Sequence, residues 1–536
     1  MTSNKVDGDG AFAHGALSGG ASVITGYPGS PSSGTLQHLI KMQPDFDFYI
    51  EWSVNEKVAA EVAIGASIGG RRSLVCAKSV GMNLMVDPVM TLNLTPLNAG
   101  LVILLGDDPG GYGSQNDQDT RPLMHMLELP LLEPADPREG FFMMKQAFEL
   151  SEQYKLPIII RETRAFSKDS IEFDLPSFDY DPPNYGVLNE PFRFVPVPAQ
   201  AVEKHRRLHR QLLAFKGWTE KSAFNKSIVR SKKGIIASGY AYRKLMDTLG
   251  HNSNVDLSIY KLSTLHPLPE LSLSTFMKSC DEVMVLEETL PFIENALKVI
   301  AYDHRSNSTI LGKSSGHFPS EGELFRWQIS EVLEDFHPGI KTNSSYSKDN
   351  EDQERPLKGN PCADCRYEEV LDAINQATQS LGMHPLFTGD PGCLFSVGDR
   401  LLAKYAIGSA VALASGLVKA EINQPVVALV GDSGFFHTTI PAICNAAYNQ
   451  SRITLVLLDN GAAVTSGGQL TPASGFDALG NNTPKLDFID IARSCGVQHI
   501  SEVHIDDPAK DLIQTFKEAL QADQLSLIVV KIPRRS

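Results

Sequence analysis

The stretch ALVGDSGFFHTTIPAICNAAYNQSRITLVLLDN, residues Ala428–Asn460, decides how this chain is read. A run of small and β-branched apolar residues breaks at Gly431-Asp432-Ser433. A helix-like segment follows, and a second apolar run stops at Asp459-Asn460. Apolar runs without polar alternation are what strands covered on both faces look like, and a helix between two of them makes the strands parallel. Neighbouring parallel strands share a crevice at their carboxyl ends, where ligands bind. Asp432 and Asn460 therefore offer a carboxylate and an amide oxygen to one crevice. The helix starting near Gly434 aims free N–H groups at the same place, which suits phosphate. Such hard oxygen donors are the set Mg2+ prefers, and the backbone carbonyl of Ala462 is the simplest third ligand. The plain alternative is an ordinary strand–helix–strand unit with polar strand ends.

Outward from this stretch the pattern repeats. GLVILLGDDPG (Gly100–Gly110), KLPIIIRET (Lys155–Thr163), KKGIIASGYAY (Lys232–Tyr242) and DEVMVLEET (Asp281–Thr289) are short apolar runs that end in polar residues and lead into helix-like segments. Two weak zones interrupt them. Phe166–Pro198 is rich in Pro, Asp and Tyr and leads into EKHRRLHRQLLAFKGW, a basic helix whose charges read as a solvated face rather than a binding patch. Lys341–Pro361 is polar and reads as a linker. The expectation is an α/β chain of three doubly wound parallel-sheet domains: residues 1–195, residues 196–340 with a helical connector at their start, and residues 362–536 after a linker at 341–361.

Composition narrows the function. Hydrophobic content of 42% in 536 residues is that of a packed globular chain, long enough for several cores. A net charge of −15 argues against nucleic acid or an anionic membrane as partner. No window approaches a membrane span, and the N-terminus has neither the basic flank nor the apolar core of a signal peptide. Seven cysteines in such a chain fit reduced thiols. A cytoplasmic protein is expected.

The motifs resemble a known family, in its order and nearly end to end. GYPGSPSSGTL, EWSVNEKVAAEVAIGASIGG and GDDPGGYGSQNDQDTR resemble the N-terminal domain of the indolepyruvate:ferredoxin oxidoreductase α subunits. GIIASGYAY, KLSTLHPLPE and VLEETLPFIE resemble their middle domain, and GDSGFFHTTIPAICNAAYN with LLDNGAAVTSGGQLTPASG resembles their C-terminal domain. The wider group is the 2-oxoacid:ferredoxin oxidoreductases, which decarboxylate 2-oxoacids on thiamine diphosphate. The resemblance implies the thiamine-diphosphate-binding fold: a pyrimidine domain, a transketolase C-terminal-like domain, and a diphosphate domain.

It also implies roles. Glu56 becomes the acid that bonds the aminopyrimidine, although by itself it reads as a helix-start carboxylate favoured by the macrodipole. Ser30 is the hydroxyl nearest the reacting carbons, in a loop that turn chemistry alone would also explain. Ser79, in AKSVGMNLM, lies in the segment over the cofactor rings. Gly431, Asp432, Ser433, Asn460 and Ala462 hold the diphosphate and Mg2+, with Gly392 beside them, and Gly467, Gly468 and Gln469 follow closely enough to wrap the diphosphate. His437 is a proton donor or diphosphate contact. Ser114, Gln115, Asn116 and Arg121 are candidates for gripping a substrate carboxylate, Arg121 with the chemistry best suited to it; a polar surface loop is the bland reading. Coenzyme A is a possible second substrate, closed over by the middle domain.

Two departures leave the outcome open. Cys362, Cys365 and Cys393 fall where related enzymes carry three thiolates of a [4Fe-4S] cluster, but a cubane takes four ligands and the fourth is not identifiable. The family's ferredoxin-like tail does not follow IVVKIPRRS, so electrons are expected to leave through a partner, a small second subunit or a ferredoxin, on a homodimer core. Oxidative decarboxylation of an aryl pyruvate such as indolepyruvate is the favoured reading. A non-oxidative thiamine-diphosphate decarboxylase or carboligase, and a non-catalytic assembly subunit, are the alternatives.

Overall fold

Strands made of valine, isoleucine and leucine runs are buried along their whole length. In Ser73–Lys78, Leu101–Asp107 and Ile158–Thr163 every residue is buried, because helices cover both faces of their sheet. A computed structural model of the chain describes residues 5–250, 255–356, 366–507 and 511–533. It divides into two compact units, residues 1–358 and 359–536. Among the described residues, no helix is long and apolar enough to cross a membrane.

The first unit holds two main sheets. The larger has seven strands in the order Thr264–His266, Leu131–Leu132, Ile158–Thr163, Leu101–Asp107, Ser73–Lys78, Val23–Gly26, Tyr49–Trp52. All neighbours are parallel except Thr264–His266, which runs antiparallel to Leu131–Leu132. The second sheet has five strands, with Lys233–Ser238 at its centre between Ser258–Leu262 and Glu282–Leu286, both parallel to it. The sequence places a domain boundary at 195/196. The structure differs, because Thr264–His266 from the middle domain joins the first domain's sheet and the two share one apolar core.

Buried charge joins them further. Arg161 donates to Asp107, Glu133 and the Glu288 carbonyl. Lys244 donates to Glu288, Glu323 and the Leu324 carbonyl. Arg121 donates to Asp119 at 2.6 Å, to Glu287 at 2.7 Å and to the Leu290 carbonyl at 2.8 Å. Burial works against charge at Asp119, yet the Arg121 guanidinium holds its carboxyl well below the usual carboxylate range.

The expected linker is not one over its described part. Arg326 pairs with Glu354, Trp327 donates to Glu351, and Arg355 reaches the Gly110 carbonyl, so residues 341–356 are docked on the first unit. Polar composition there marks surface hydrogen bonding, not a free chain; residues 357–361 lie outside the described residues.

The second unit is a six-stranded, wholly parallel sheet in the order Ala403–Lys404, Leu386–Gly389, Val426–Gly431, Thr454–Asp459, Ser526–Lys531, His499–His504. Replacing Arg121 with Ala leaves Asp119 and Glu287 buried without their cation, and should cost about 3–5 kcal/mol. A lowered denaturation midpoint in chemical unfolding checks this; an unchanged midpoint would refute the pairing.

Candidate active site

In the second unit the chain leaves Leu386–Gly389 towards one side, to Ala403–Lys404, and returns on the other side as Val426–Gly431. Strand order therefore reverses between Leu386–Gly389 and Val426–Gly431, and the carboxyl ends of these two strands flank the crevice where such sheets bind ligands. Asp432 follows one of them directly and is 3% exposed. Its Oδ1 accepts from the Ser433 amide at 2.7 Å. Gly431 is paired with Leu458 in the sheet, so Asp432 and Asn460 end adjacent strands, as the sequence predicts. The Asn460 amide donates to the Tyr367 hydroxyl at 3.2 Å, and its Oδ1 lies 3.4 Å from the Ala462 amide. The Ala462 carbonyl accepts from Val464 at 2.9 Å and keeps a second lone pair.

The helix after Asp432 is not regular. Phe435–Thr439 forms a π-helical turn between Asp432–Gly434 and Ile440–Tyr448. Such insertions are frequent at functional sites, and here the turn carries His437, which is 5% exposed. Beneath it sits Asp390, a residue that sequence reasoning missed. Its oxygens accept from Gly408 at 2.8 Å and Ala410 at 2.9 Å, and a Cβ on Gly434 would lie 2.9 Å from Oδ2. Burial pushes the Asp390 carboxyl up to about 7, against the two amides and the nearby His437, which pull it down. The signal was present: FTGDPG ends a strand in a carboxylate just as ALVGDS does.

Past Asn460 the chain makes a small hairpin. Ala463 and Gln469 pair as an antiparallel bridge, and Gly467 (φ 121°) and Gly468 (φ 77°) turn it with backbone angles that favour glycine. The Gln469 side chain exchanges both of its amide ends with Ser466, so it closes the loop. A Cβ at Gly431, Gly461 or Gly468 would meet nothing within 4 Å. Open glycine backbone beside a buried carboxylate and an amide oxygen fits a diphosphate with its divalent cation. Gly392 (φ 110°) ends the adjacent strand loop, and Cys393 opens the turn that follows. Cys362 and Cys365 lie outside the described residues. Cys444 is exposed and Cys495 is half-buried; burial, then the neighbouring Cys444 thiol, pushes Cys495 up to about 12. The apolar sequence around them does not place them in the core.

The first unit repeats the plan. Strand order reverses between Val23–Gly26 and Ser73–Lys78, and the loop carrying Ser30 leaves one while Ser79 starts the helix after the other. Ser30 is exposed and Ser79 is buried. A Cβ on Gly29 would lie 2.9 Å from Lys78 Cβ, so these two loops touch. Glu56 is 5% exposed at the first position of helix Glu56–Ile68, behind Asn55, which caps it by accepting from Val58. Its carboxyl lies against Gly81 in the first turn of helix Ser79–Leu92; a Cβ there would be 2.3 Å from Oε1. Only glycine admits that approach.

The expected substrate loop divides. The Ser114 hydroxyl donates to Asp108 at 2.8 Å, which also takes the Gly113 amide, while Gln115 and Asn116 are exposed at the tip. Lys78, unremarked in sequence, donates to the Gly113 carbonyl at 2.7 Å and ties this loop to its strand end. Arg121 does not belong with them. It is fully buried, and its guanidinium is committed to Asp119, Glu287 and Leu290, so it has no face for a substrate carboxylate.

Because the native Asp390 binds its proton more tightly than an unfolded aspartate does, it stabilises the fold at low pH. That contribution should be lost as pH rises from about 4 through about 7. Thermal melts of wild type and Asp390→Asn across that window check it: the difference between the two curves should shrink with rising pH, and a flat difference would refute it.

Sequence comparison places these features. Residues 14–173 match the family model described as pyruvate flavodoxin/ferredoxin oxidoreductase, thiamine diphosphate-binding. Residues 226–339 match the indolepyruvate oxidoreductase domain, and residues 401–530 match the C-terminal thiamine pyrophosphate-binding domain. The chain is 32% identical over 540 residues to the indolepyruvate oxidoreductase subunit IorA of Methanothermobacter thermautotrophicus, covering 98% of this chain and 86% of that one. It is 30% identical over 555 residues to the IorA subunit of Pyrococcus abyssi, covering 98% and 84%. A solved 2-oxoglutarate:ferredoxin oxidoreductase from Magnetococcus marinus aligns with a TM-score of 0.46 at 14% identity, over 62% of this chain and 65% of that one. The strand-end carboxylate and amide thus sit within a matched thiamine-diphosphate domain, and the chain belongs to the family of indolepyruvate oxidoreductase IorA subunits, thiamine-diphosphate-dependent 2-oxoacid oxidoreductases.

Proposed function

We propose that this chain is the catalytic subunit of an enzyme that oxidatively decarboxylates an aryl pyruvate such as indolepyruvate and passes the electrons to a partner protein. The observation that carries this is the buried Asp432 beside Asn460, ending adjacent parallel strands at a reversal of strand order. When bound, thiamine diphosphate supplies a nucleophilic carbon and an electron sink for decarboxylation. Asp432, Asn460 and the Ala462 carbonyl would hold Mg2+, and the amides of Gly431–Ser433 and the Gly467-Gly468 turn would receive the diphosphate.

This chain's own residues then handle protons and water. Glu56, fixed by the Asn55 cap and its seat on Gly81, would hold a proton at Oε1 for the pyrimidine. His437, buried in the π-helical turn above Asp390, is the candidate proton donor near the diphosphate. Ser30, with Ser114, Gln115 and Asn116, is left to meet the substrate, while Arg121 is assigned to the fold. Cys362, Cys365 and Cys393 are candidate ligands of one [4Fe-4S] cluster, and coenzyme A the acceptor of the acyl group. A homodimer core with a small second subunit or ferredoxin would complete the enzyme.

Glu56→Gln tests the reading. With thiamine diphosphate, Mg2+ and a low-potential electron acceptor, wild type should turn over indolepyruvate, and the variant should retain cofactor while losing at least 100-fold in turnover. Full activity of the variant removes Glu56 from the mechanism. Aldehyde formation with no reduced acceptor, on protein prepared without oxygen, would turn the assignment to the non-oxidative lyase. Iron and acid-labile sulfide on the same preparation should give about four irons per chain if the three cysteines carry a cubane; none would remove the cluster.

A further inference from the structure

The basic helix that reads as a solvated face carries an unused group of ligands. His205 and His209 lie one turn apart on helix Ala201–Thr219, so their rings share a face, with centroids 4.3 Å apart. Both point at one carboxylate. His205 Nε2 is 2.6 Å from one oxygen of Glu128, and His209 Nε2 is 2.7 Å from the other. The three ligand atoms all lie within 4.8 Å of one another.

Glu128 is itself fixed. It follows helix Arg121–Leu127 in left-handed conformation (φ 54°, ψ 47°), with its amide on the His125 carbonyl and the Leu129 amide on Met124. The carboxylate is thus presented from a helix terminus in the first sheet's domain to a helix of the connector. The cations around the two histidines are engaged elsewhere: Arg206 and Arg210 with Glu203, Arg207 with the Leu94 carbonyl, Lys204 with the Phe192 and Val195 carbonyls. None of these contacts uses Glu128.

We propose that Glu128, His205 and His209 form a binding site for a divalent transition cation of the zinc class. Two imidazole nitrogens and one carboxylate oxygen are borderline donors, which favour Zn2+ or Co2+ over Mg2+ or Ca2+. Tetrahedral ligands on zinc sit roughly 3.3 Å apart, a spacing inside the 4.8 Å that encloses these three atoms. The half-exposed rings leave the fourth position to water. A bound cation would staple the connector helix to the end of the Arg121 helix, at a distance in sequence from the residues assigned to catalysis.

The test is zinc counting by elemental mass spectrometry on the full-length protein, saturated with thiamine diphosphate and Mg2+, then equilibrated with micromolar Zn2+ and desalted. Zinc on thiols or at the Mg2+ position is common to every variant and drops out of the difference. Wild type should hold one more zinc per chain than His205→Ala or His209→Ala, and zinc should raise the melting temperature of wild type more than that of either variant. Both side chains are exposed, so the variants should melt with wild type in metal-free buffer and keep decarboxylase turnover. Equal zinc in wild type and both variants would overturn the proposal and leave the cluster as a pair of histidine–carboxylate bonds.

Discussion

A parallel sheet collects the carboxyl ends of all its strands on one edge, where a buried charge is costly unless another group neutralises it. In the first unit that edge carries Lys78, Asp107, Arg161, Glu162 and Thr163, and the second sheet ends its central strands in Ser238, Glu287 and Glu288. Two buried arginines join these edges, while Glu162 has no hydrogen-bond partner among the described residues and burial pushes its carboxyl up. Arg161 spans Asp107, Glu133 and the Glu288 carbonyl, while Arg121 spans Asp119 and Glu287. Removing charges from water costs several kcal/mol each, and only close pairing makes that affordable. The reversal point, between the Ser30 loop and Ser79, lies elsewhere on the same edge. In the second unit Asp390 lies beneath the His437 turn at that sheet's own reversal point, and further along the same edge Lys531 pairs with Asp459.

A second constraint runs through the same edges. Several buried carboxylates are seated at helix N-termini, where unpaired amides and the dipole favour negative charge. Glycine makes room for them. Glu56 lies against Gly81, Asp9 against Gly34, and Glu133 against Gly239, each closer than a Cβ would allow. Glu287 takes the Ile293 and Glu294 amides at the start of helix Phe292–Asp303. Burial nonetheless raises the Asp9 carboxyl to about 6 and pushes Glu162 well above the usual range, with Asp9 adding to the effect. Fine placement, rather than residue type, decides which carboxylate stays charged.

The candidate site was legible where local pattern and topology coincide. Asp432 and Asn460 follow from apolar runs that stop abruptly, since a strand's period and its polar end are both local facts. Glu56 was legible as a helix-start acid, but its contact with Gly81 joins residues of two different helices and leaves no periodic trace. Arg121 was misread for a physical reason. An arginine beside a polar loop has the chemistry for a substrate carboxylate, and nothing local says that Glu287, far along the chain, already occupies it. Lys341–Pro356 was misread likewise, because polar residues that dock on a surface have the composition of a free linker.

The sequence by itself determined the α/β class, the strands and their polar ends, and the motif order that assigns the family, because each is written in short windows. Only the tertiary structure decided that the first two domains form one unit, that Asp390 lies under the His437 turn, and that Glu128 faces His205 and His209. Those outcomes depend on strand order, on an added antiparallel strand, and on helix faces meeting across large sequence separations. Pairing at that range is fixed by packing and by the neutralisation of buried charge, which no local window contains.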